Sequence, residues 1–245
     1  MPKFGLIGKH ISYSFSKAHF TKKFEQEGLP FSYENFDIES ISEFPLVIKN
    51  NPNLVGLNVT IPYKEQVIPY LDALSKHAED IGAVNTITIS PSGELKGYNT
   101  DIFGFRESLE PFLKPRHKKA LILGTGGASK AIAYTLKELN IDYVYVSRKS
   151  NKLAKFTYQD LTDTIISSFQ IIINCTPVGT YPNINDYPDI PYSGISKKHL
   201  LYDLIYNPAK TEFLRQGELK GATICNGLKM LELQAQKAWE IWNKQ

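Results

Sequence analysis

Four short runs of mostly aliphatic and aromatic residues, 120–123, 143–146, 171–173 and 200–203, the last closing on Asp203, recur through the second half of the chain with helical stretches between them. Strands this continuously apolar are buried on both faces. A sheet covered on both faces by its own connections is a parallel one, because each crossover lays a helix against it. That alternation restricts the second half to a doubly wound α/β sheet. The first half alternates as well, with strands expected at 4–7, 32–37, 54–60, 83–89 and 95–98 and helices at 17–27 and 41–50.

Between the two series, Phe103, Phe105, Leu109, Phe112 and Leu113 lie at roughly helical spacing and run into the polar stretch Pro115-Arg116-His117-Lys118-Lys119, which reads as a connecting helix and a boundary. After Gly227, the residues Leu228, Leu231, Ala235, Ala238 and Trp242 follow 3-4-3-4 spacing, an amphipathic helix. The expected organisation is two α/β domains: 1–101 completed by the C-terminal helix 228–245, and a Rossmann-type domain over 102–227. No internal repeat, low-complexity tract or charge block interrupts either series.

Composition narrows the function classes. The chain has 245 residues, 42% of them hydrophobic, enough to build real cores. Its 28 basic and 25 acidic side chains leave a net charge of +3, compatible with small anionic ligands and well short of a nucleic-acid footprint. Cys175 and Cys225 are too few for a disulfide scaffold and lack CxxC spacing, so they are expected as packed, inert thiols. The five histidines show neither HxH nor HExxH spacing, and no metal site is expected. The N-terminus reads as a strand rather than a signal peptide, and no run approaches membrane-spanning length; the expectation is a cytoplasmic protein with a small-molecule substrate, monomeric or homodimeric, engaging neither nucleic acid nor membrane.

Gly124-Thr125-Gly126-Gly127-Ala128 follows a strand and opens a helical stretch, where backbone N–H groups and the helix dipole would face a pyrophosphate. Ser129 stands at the third glycine position of GxGxxG. NAD-binding chains place an acidic residue about 20 residues further on, for the ribose hydroxyls; this chain has Ser147-Arg148-Lys149, which suits a 2′-phosphate and hence NADP, and which otherwise reads as a solvated basic turn.

Further polar residues gather at strand ends in the first half. Pro62 and Lys64-Glu65-Gln66-Val67 read as a helix start directly beyond a strand, with Pro69 interrupting that helix, so Lys64 is expected near the carboxyl end of the strand. Asn85-Thr86 and Asn99-Thr100-Asp101 lie at or just beyond strands too. Lys64 with Asp101 supplies an ammonium and a carboxylate, a plausible proton donor to a carbonyl oxygen; beside a dinucleotide loop, that combination points to carbonyl reduction. Ser12, Ser14 and Ser16 alternate with Tyr13 and Phe15, so an extended backbone would project three hydroxyls to one side, able to bind a carboxylate or polyol; alternatively Ser16 simply caps a helix starting near Lys17.

The motifs Ser14-x-Ser16, Asn58-Val59-Thr60-x-Pro62-x-Lys64, Gly82-Ala83-Val84-Asn85-Thr86, Gly97-x-Asn99-Thr100-Asp101, Gly124-x-Gly126-Gly127-Ala128, Asn174-x-Thr176-Pro177-x-Gly179, Asp203-x-x-Tyr206-x-Pro208 and Gly227-x-x-Met230-Leu231-x-x-Gln234-Ala235 together resemble the shikimate dehydrogenase family over nearly the whole chain. The resemblance implies NADPH-dependent reduction of 3-dehydroshikimate to shikimate, on the route to chorismate and the aromatic amino acids. By the same resemblance Ser14, Ser16, Thr60, Asn85 and Gln234 fall on substrate-contacting positions and Lys64 and Asp101 on the catalytic pair. Gly124, Thr125, Gly126, Gly127, Ala128, Ser147, Arg148, Lys149, Thr176, Tyr206 and Gly227 fall on the NADP site. The active site is then expected between a substrate domain and a cofactor domain.

The chain departs from the family pattern at several places. Tyr13, Lys17 and Phe20 replace the usual histidine, proline and asparagine around the serine pair, Ser147 replaces an asparagine, and Thr180 a methionine. The stretch 149–170 is much shorter than usual, implying a trimmed helix-strand unit and a nucleotide pocket open on its adenine side. Three alternatives stay open on the residues alone: a quinate/shikimate dehydrogenase using NAD, a non-catalytic NADP- or shikimate-binding regulator, and more distantly a folate-type dehydrogenase, for which the paired serines have no evident use.

Overall fold

The computed structural model describes residues 1–12 and 14–244, and the chain falls into two compact units, Met1–Thr100 with Ala235–Gln245, and Asp101–Gln234. The first is built on the strands β1 (Lys3–Gly8), β2 (Ser32–Asp37), β3 (Leu54–Val59), β4 (Ala73–Leu74), β5 (Thr86–Ile89) and β6 (Leu95–Tyr98), in the spatial order β2-β1-β3-β5-β6-β4. β1 is parallel to both neighbours, whereas β5 runs antiparallel to β3 and β6. The helices are α1 (Phe15–Gln26), α2 (Phe44–Asn50) and α3 (Lys76–Ile81).

Period-two alternation sorts β1 between two cores. Phe4 and Leu6 join Phe20, Phe24 and Tyr33, together with Ala235, Ala238, Trp239 and Trp242 from the chain's last helix. Ile7 faces the other way and packs with Leu57, Val59, Ile87 and Phe44. Gly56 is required on β3, since any Cβ there would sit 2.5 Å from Trp242 Nε1, and that nitrogen donates to the Ile87 carbonyl at 3.0 Å.

Two local expectations are corrected. Residues 61–67 form successive turns and a short 3-10 helix (Ile68–Tyr70) instead of an α-helix. One α-type bond closes, from Val67 N to the Tyr63 carbonyl, and Pro69, lacking an N–H, cannot extend the ladder. The helix expected over 41–50 is a 3-10 turn (Ile41–Glu43) followed by α2, with Pro45 at the start of α2.

The second unit begins with α4 (Asp101–Leu109) and continues through β7 (Lys119–Leu123), α5 (Gly127–Glu138), β8 (Asp142–Ser147), β9 (Ala154–Thr157), α6 (Asp163–Ser168), β10 (Ile171–Asn174), β11 (Leu200–Asp203), α7 (Glu212–Leu219) and β12 (Thr223–Cys225) into α8 (Leu228–Trp242). All strand pairs are parallel, in the order β12-β11-β10-β7-β8-β9. The order reverses between β7 and β10, the switch point at which doubly wound sheets bind their ligands. As the apolar runs require, both faces are covered: Ile122, Ile173 and Tyr202 pack with Phe105, Ile132 and Leu136, and Leu121, Leu123 and Leu201 with Ile166, Phe213 and Leu214.

The shortened stretch has a definite form. β8 and β9 are parallel neighbours joined by residues 148–153 with no helix between them, although a parallel crossover ordinarily takes a dozen or more residues. Asn151 holds this turn: its Oδ1 accepts from Leu153 N and Ala154 N, each at 2.9 Å, and its Nδ2 donates to Ser147 Oγ at 3.0 Å.

Candidate active site

In the first unit, sheet register brings the expected substrate residues to one edge. β1 and β3 are parallel and end together, with Thr60 N donating to the Ile7 carbonyl and Lys9 N to that of Ile61. Gly8 permits this approach, because a Cβ would meet Thr60 Cγ2 at 2.5 Å. Asn58 pairs with Thr86 and Thr86 with Tyr98, so Asn85 and Asn99 emerge at the same edge as Thr60. Lys64 is half-buried, and its carbonyl accepts from Val84 N at 2.7 Å, tying the turn to the segment that enters β5.

Asn85 is buried and accepts through Oδ1 from Thr100 N at 2.7 Å and Thr86 Oγ1 at 3.1 Å, while Asn99 Nδ2 donates to the Ala83 carbonyl at 2.9 Å. The side chain of Asn85 thus fixes the backbone immediately before Asp101. Ser14 has extended backbone and is itself the cap of α1: its Oγ accepts from Lys17 N at 3.1 Å. Ser16 lies in the first turn of the helix, largely buried, and is not the cap. Tyr13 lies outside the described residues.

The loop from β1 to α1 is held by side chains of β2. Asp37 accepts from His10 N at 2.8 Å and Ile11 N at 3.1 Å, Asn35 Nδ2 donates to the Ile11 carbonyl at 2.8 Å, and Ser14 Oγ donates to Asn35 Oδ1 at 2.9 Å. His10 takes a left-handed backbone, φ 57°, which a non-glycine residue adopts at some cost and which the two Asp37 bonds offset.

In the second unit, Asp101 opens α4, buried at a helix N-terminus where the dipole favours a carboxylate. Gln234 is also buried, and its Nε2 donates to the Leu231 carbonyl at 3.0 Å. α4 and α8 approach closely at Gly104, where a Cβ would lie 2.5 Å from the Met230 carbonyl and 3.1 Å from Gln234 Cβ.

The glycine loop follows β7 at the switch point. Gly124 has φ 101°, and a Cβ on it would meet Thr176 Cγ2 at 2.9 Å; Thr125 follows, Gly126 is the N-cap of α5, and Gly127 and Ala128 form its first turn. No atom lies within 4 Å of a Cβ built on Gly126, which leaves open space above the helix N-terminus for a phosphate group. Ser129 replaces the third glycine without strain: it is buried, and its Oγ donates to the Gly126 carbonyl at 2.6 Å.

Opposite, Thr176 Oγ1 donates to Asn174 Oδ1 at 2.7 Å and accepts from Val178 N at 3.2 Å, so the loop after β10 is closed on itself. Ser147 is buried and bonds the Lys149 carbonyl, leaving Arg148 and Lys149 exposed on the β8–β9 turn. Tyr206 is exposed enough to reach a ligand, with partial burial raising its hydroxyl pKa. Gly227 is buried against Leu204, whose carbonyl would lie 2.0 Å from any Cβ there. Burial also raises both thiols, Cys225 to about 11, so neither is a ready nucleophile. Among the described residues no group of three or more His, Cys, Asp or Glu side chains could hold a metal ion.

Residues 6–87 match the family model described as the shikimate dehydrogenase substrate binding domain. The NADP(+) shikimate dehydrogenase of Methanosphaera stadtmanae is 39% identical over 256 aligned positions, covering 97% of this chain and 90% of the relative. The chain belongs to the shikimate dehydrogenase family. Among solved structures, shikimate dehydrogenase 1 from Peptoclostridium difficile is 40% identical with a TM-score of 0.86, covering 100% of this chain and 92% of that one. The shikimate 5-dehydrogenase of Thermus thermophilus, solved with NADP(H) and shikimate, is 30% identical with a TM-score of 0.88, covering 100% of this chain and 94% of that one.

Of the residues carried over from shikimate dehydrogenases, Ser14, Ser16, Thr60, Lys64 and Asn85 belong to the first unit and Asp101, Gln234 and the glycine loop to the second. Sequence reasoning passed over Asn35 and Asp37, which organise the serine loop. Their signal was faint: polar side chains at alternate positions of a strand, on the face that also carries the buried Tyr33.

Proposed function

We propose that this chain is an NADP-dependent shikimate dehydrogenase, interconverting 3-dehydroshikimate and shikimate. The full-length kinship carries the reading: NADP(+) shikimate dehydrogenases align over 97% of the chain, so both units have counterparts in one enzyme. A non-catalytic regulator and an NAD-linked quinate enzyme gain no comparable support. The proposed division of labour follows the sequence reading, with 1–101 and 228–245 serving substrate and 102–227 the cofactor.

The residues at the switch point fit NADP. Gly126 leaves open space for a pyrophosphate at the N-terminus of α5, the positive φ of Gly124 turns the chain into it, and Arg148 and Lys149 are exposed on the turn after β8 for a 2′-phosphate. When bound, the nicotinamide supplies or accepts the hydride. The chain's own residues manage the rest. The Lys64 ammonium gives its proton to the oxygen of the carbonyl being reduced and recovers one from water; in the reverse direction the neutral Lys64 amine takes the proton from the hydroxyl and passes it to water. The Asp101 carboxylate orients and stabilises that ammonium. Ser14, Ser16, Thr60, Asn85 and Gln234 present hydroxyls and amides to the ring substituents of the substrate, so that an analogue lacking one leaves a polar group unpaired. Thr176, Tyr206 and Gly227 border the cofactor.

No helix among the described residues is long and apolar enough to cross a membrane. We assign the protein to the cytoplasm, as a monomer or homodimer with neither nucleic-acid nor membrane partners. Purified protein mixed with shikimate and either NADP or NAD, followed by absorbance of the reduced nicotinamide, tests the activity. Turnover with NADP is expected; no turnover with either cofactor rejects the enzyme, and a preference for NAD rejects the cofactor assignment.

A further inference from the structure

Asn35 projects from β2 and touches the serine loop at two points, donating a hydrogen bond to the Ile11 carbonyl at 2.8 Å and accepting one from Ser14 Oγ at 2.9 Å. Its orientation is settled by the first contact. A backbone carbonyl only accepts, so Nδ2 must face Ile11 and Oδ1 must face Ser14. Ser14 Oγ also accepts from Lys17 N at 3.1 Å. The hydroxyl is therefore held between two elements, β2 through Asn35 and α1 through the cap, with its proton directed at Asn35 and one lone pair left for a ligand. Asp37, two residues on and facing the same way, anchors His10 N and Ile11 N.

We infer that Asn35 is a positioning residue for substrate binding, fixing the place and the hydrogen-bonding polarity of the Ser14 hydroxyl. The inference rests on the reading of Ser14 as a substrate contact and deepens it. A hydroxyl with a set direction loses little freedom when a ligand arrives, whereas one on an untethered loop must be ordered at that moment. Asn35 never touches the substrate; it acts through Ser14 and through the Ile11 carbonyl that shapes the loop. The effect belongs to ground-state binding, because nothing in these contacts reaches the proton donor Lys64 or the nucleotide loop.

A double-mutant cycle tests this on the full-length enzyme with shikimate and NADP. Asn35→Ala is expected to raise KM for shikimate about 10-fold, the equivalent of one well-placed hydrogen bond, with kcat at saturation and KM for NADP within about two-fold of wild type. Ser14→Ala is expected to raise the same KM, and adding Asn35→Ala to Ser14→Ala should cost little more. Should the alanine variant not fold, Asn35→Ser, too short to reach both partners, is read by the same criteria. If Ser14→Ala raises KM while Asn35→Ala only lowers Tm, or if the two effects simply multiply, the role of Asn35 is overturned and that of Ser14 stands. If Ser14→Ala leaves KM for shikimate unchanged, the assignment of Ser14 itself is wrong and the inference falls with it.

Discussion

Asn174 and Asp203, the last residues of two neighbouring parallel strands, are in register and joined by a hydrogen bond from Asn174 Nδ2 to Asp203 Oδ1 at 3.1 Å. Both side chains are fully buried. Asp203 also accepts from Ile205 N at 3.0 Å and Thr211 Oγ1 at 2.6 Å, and Asn174 Oδ1 accepts from Thr176 N and Thr176 Oγ1. One pair of side chains thereby anchors the loops after β10 and β11, the first of which flanks the switch point.

Asn174→Ala should destabilise the protein by about 2–3 kcal/mol, since it strands buried partners on Asp203 and Thr176. Denaturant unfolding at neutral pH measures this. A loss under about 0.5 kcal/mol would mean that water or a shifted loop replaces the amide.

Asp203 carries a pH signature. Burial pushes its carboxyl from 3.8 to about 6, against the three hydrogen bonds that favour the ionised form. The folded state therefore binds the proton more tightly than the unfolded chain. The stability this lends is present below about pH 4 and is lost as pH rises through about 6, a change of roughly 3 kcal/mol from this one group. Carboxyls held below their usual range, such as Asp160 and Glu212, act in the opposite sense at lower pH. The difference between wild type and Asp203→Asn across pH 4–7 isolates the effect, and parallel stability curves for the two proteins would refute it.

Arg148→Ala should raise KM for NADP far more than KM for NAD, by a differential of about 2 kcal/mol, because the planar guanidinium meets a 2′-phosphate that NAD lacks. Equal changes for the two cofactors would assign Arg148 to the solvated turn alone.

Lys64→Ala and Asp101→Asn should each lower kcat by roughly 100-fold or more, and the double variant should be far less impaired than the product of the two losses. Cofactor binding, followed by fluorescence titration, should persist in all three. Near-normal turnover in Lys64→Ala would take the lysine out of the proton transfer.

Gln234→Ala should weaken shikimate binding or turnover by about 10-fold while leaving NADP affinity unchanged, because the substrate would lose the buried amide that faces its ring substituents. Unaltered shikimate kinetics would make Gln234 part of the packing between α4 and α8.

Much of this was legible in the chain. The apolar runs at 120–123, 171–173 and 200–203 became buried parallel strands because nothing but burial on both faces suits such sequences. The trimmed helix-strand unit expected over 149–170 takes the form of β8 joined to β9 by 148–153 with no helix between them, a detail that the length alone did not specify. The turns at 61–67 were misread as a helix, since Lys64 to Val67 have acceptable helical propensity and only Pro69 and the bond from Val84 N to the Lys64 carbonyl oppose it. Which serine caps α1 could not be told from spacing alone, as both Ser14 and Ser16 are competent caps. Asn35 and Asp37 were invisible for a different reason: their partners lie 21 to 27 residues away along the chain, and only the β1–β2 pairing brings them together.

The placement of Trp239 and Trp242 has a consequence for how the molecule is made. They belong to the core around Phe4, Phe20 and Phe24, yet they follow the whole of residues 101–234 in the chain. At ordinary translation speeds the ribosome needs on the order of ten seconds to cross that interval. Throughout it the nascent first unit lacks its closing aromatics, and the groove over β1 and β3, including the Gly56 surface shaped for Trp242, stays wet. The second unit, continuous in sequence, can fold while the first waits. Completion of the first unit is thus coupled to prior synthesis of the second, and a chain cut short before Ala235 would leave one face of a complete sheet uncovered for chaperones and proteases to find.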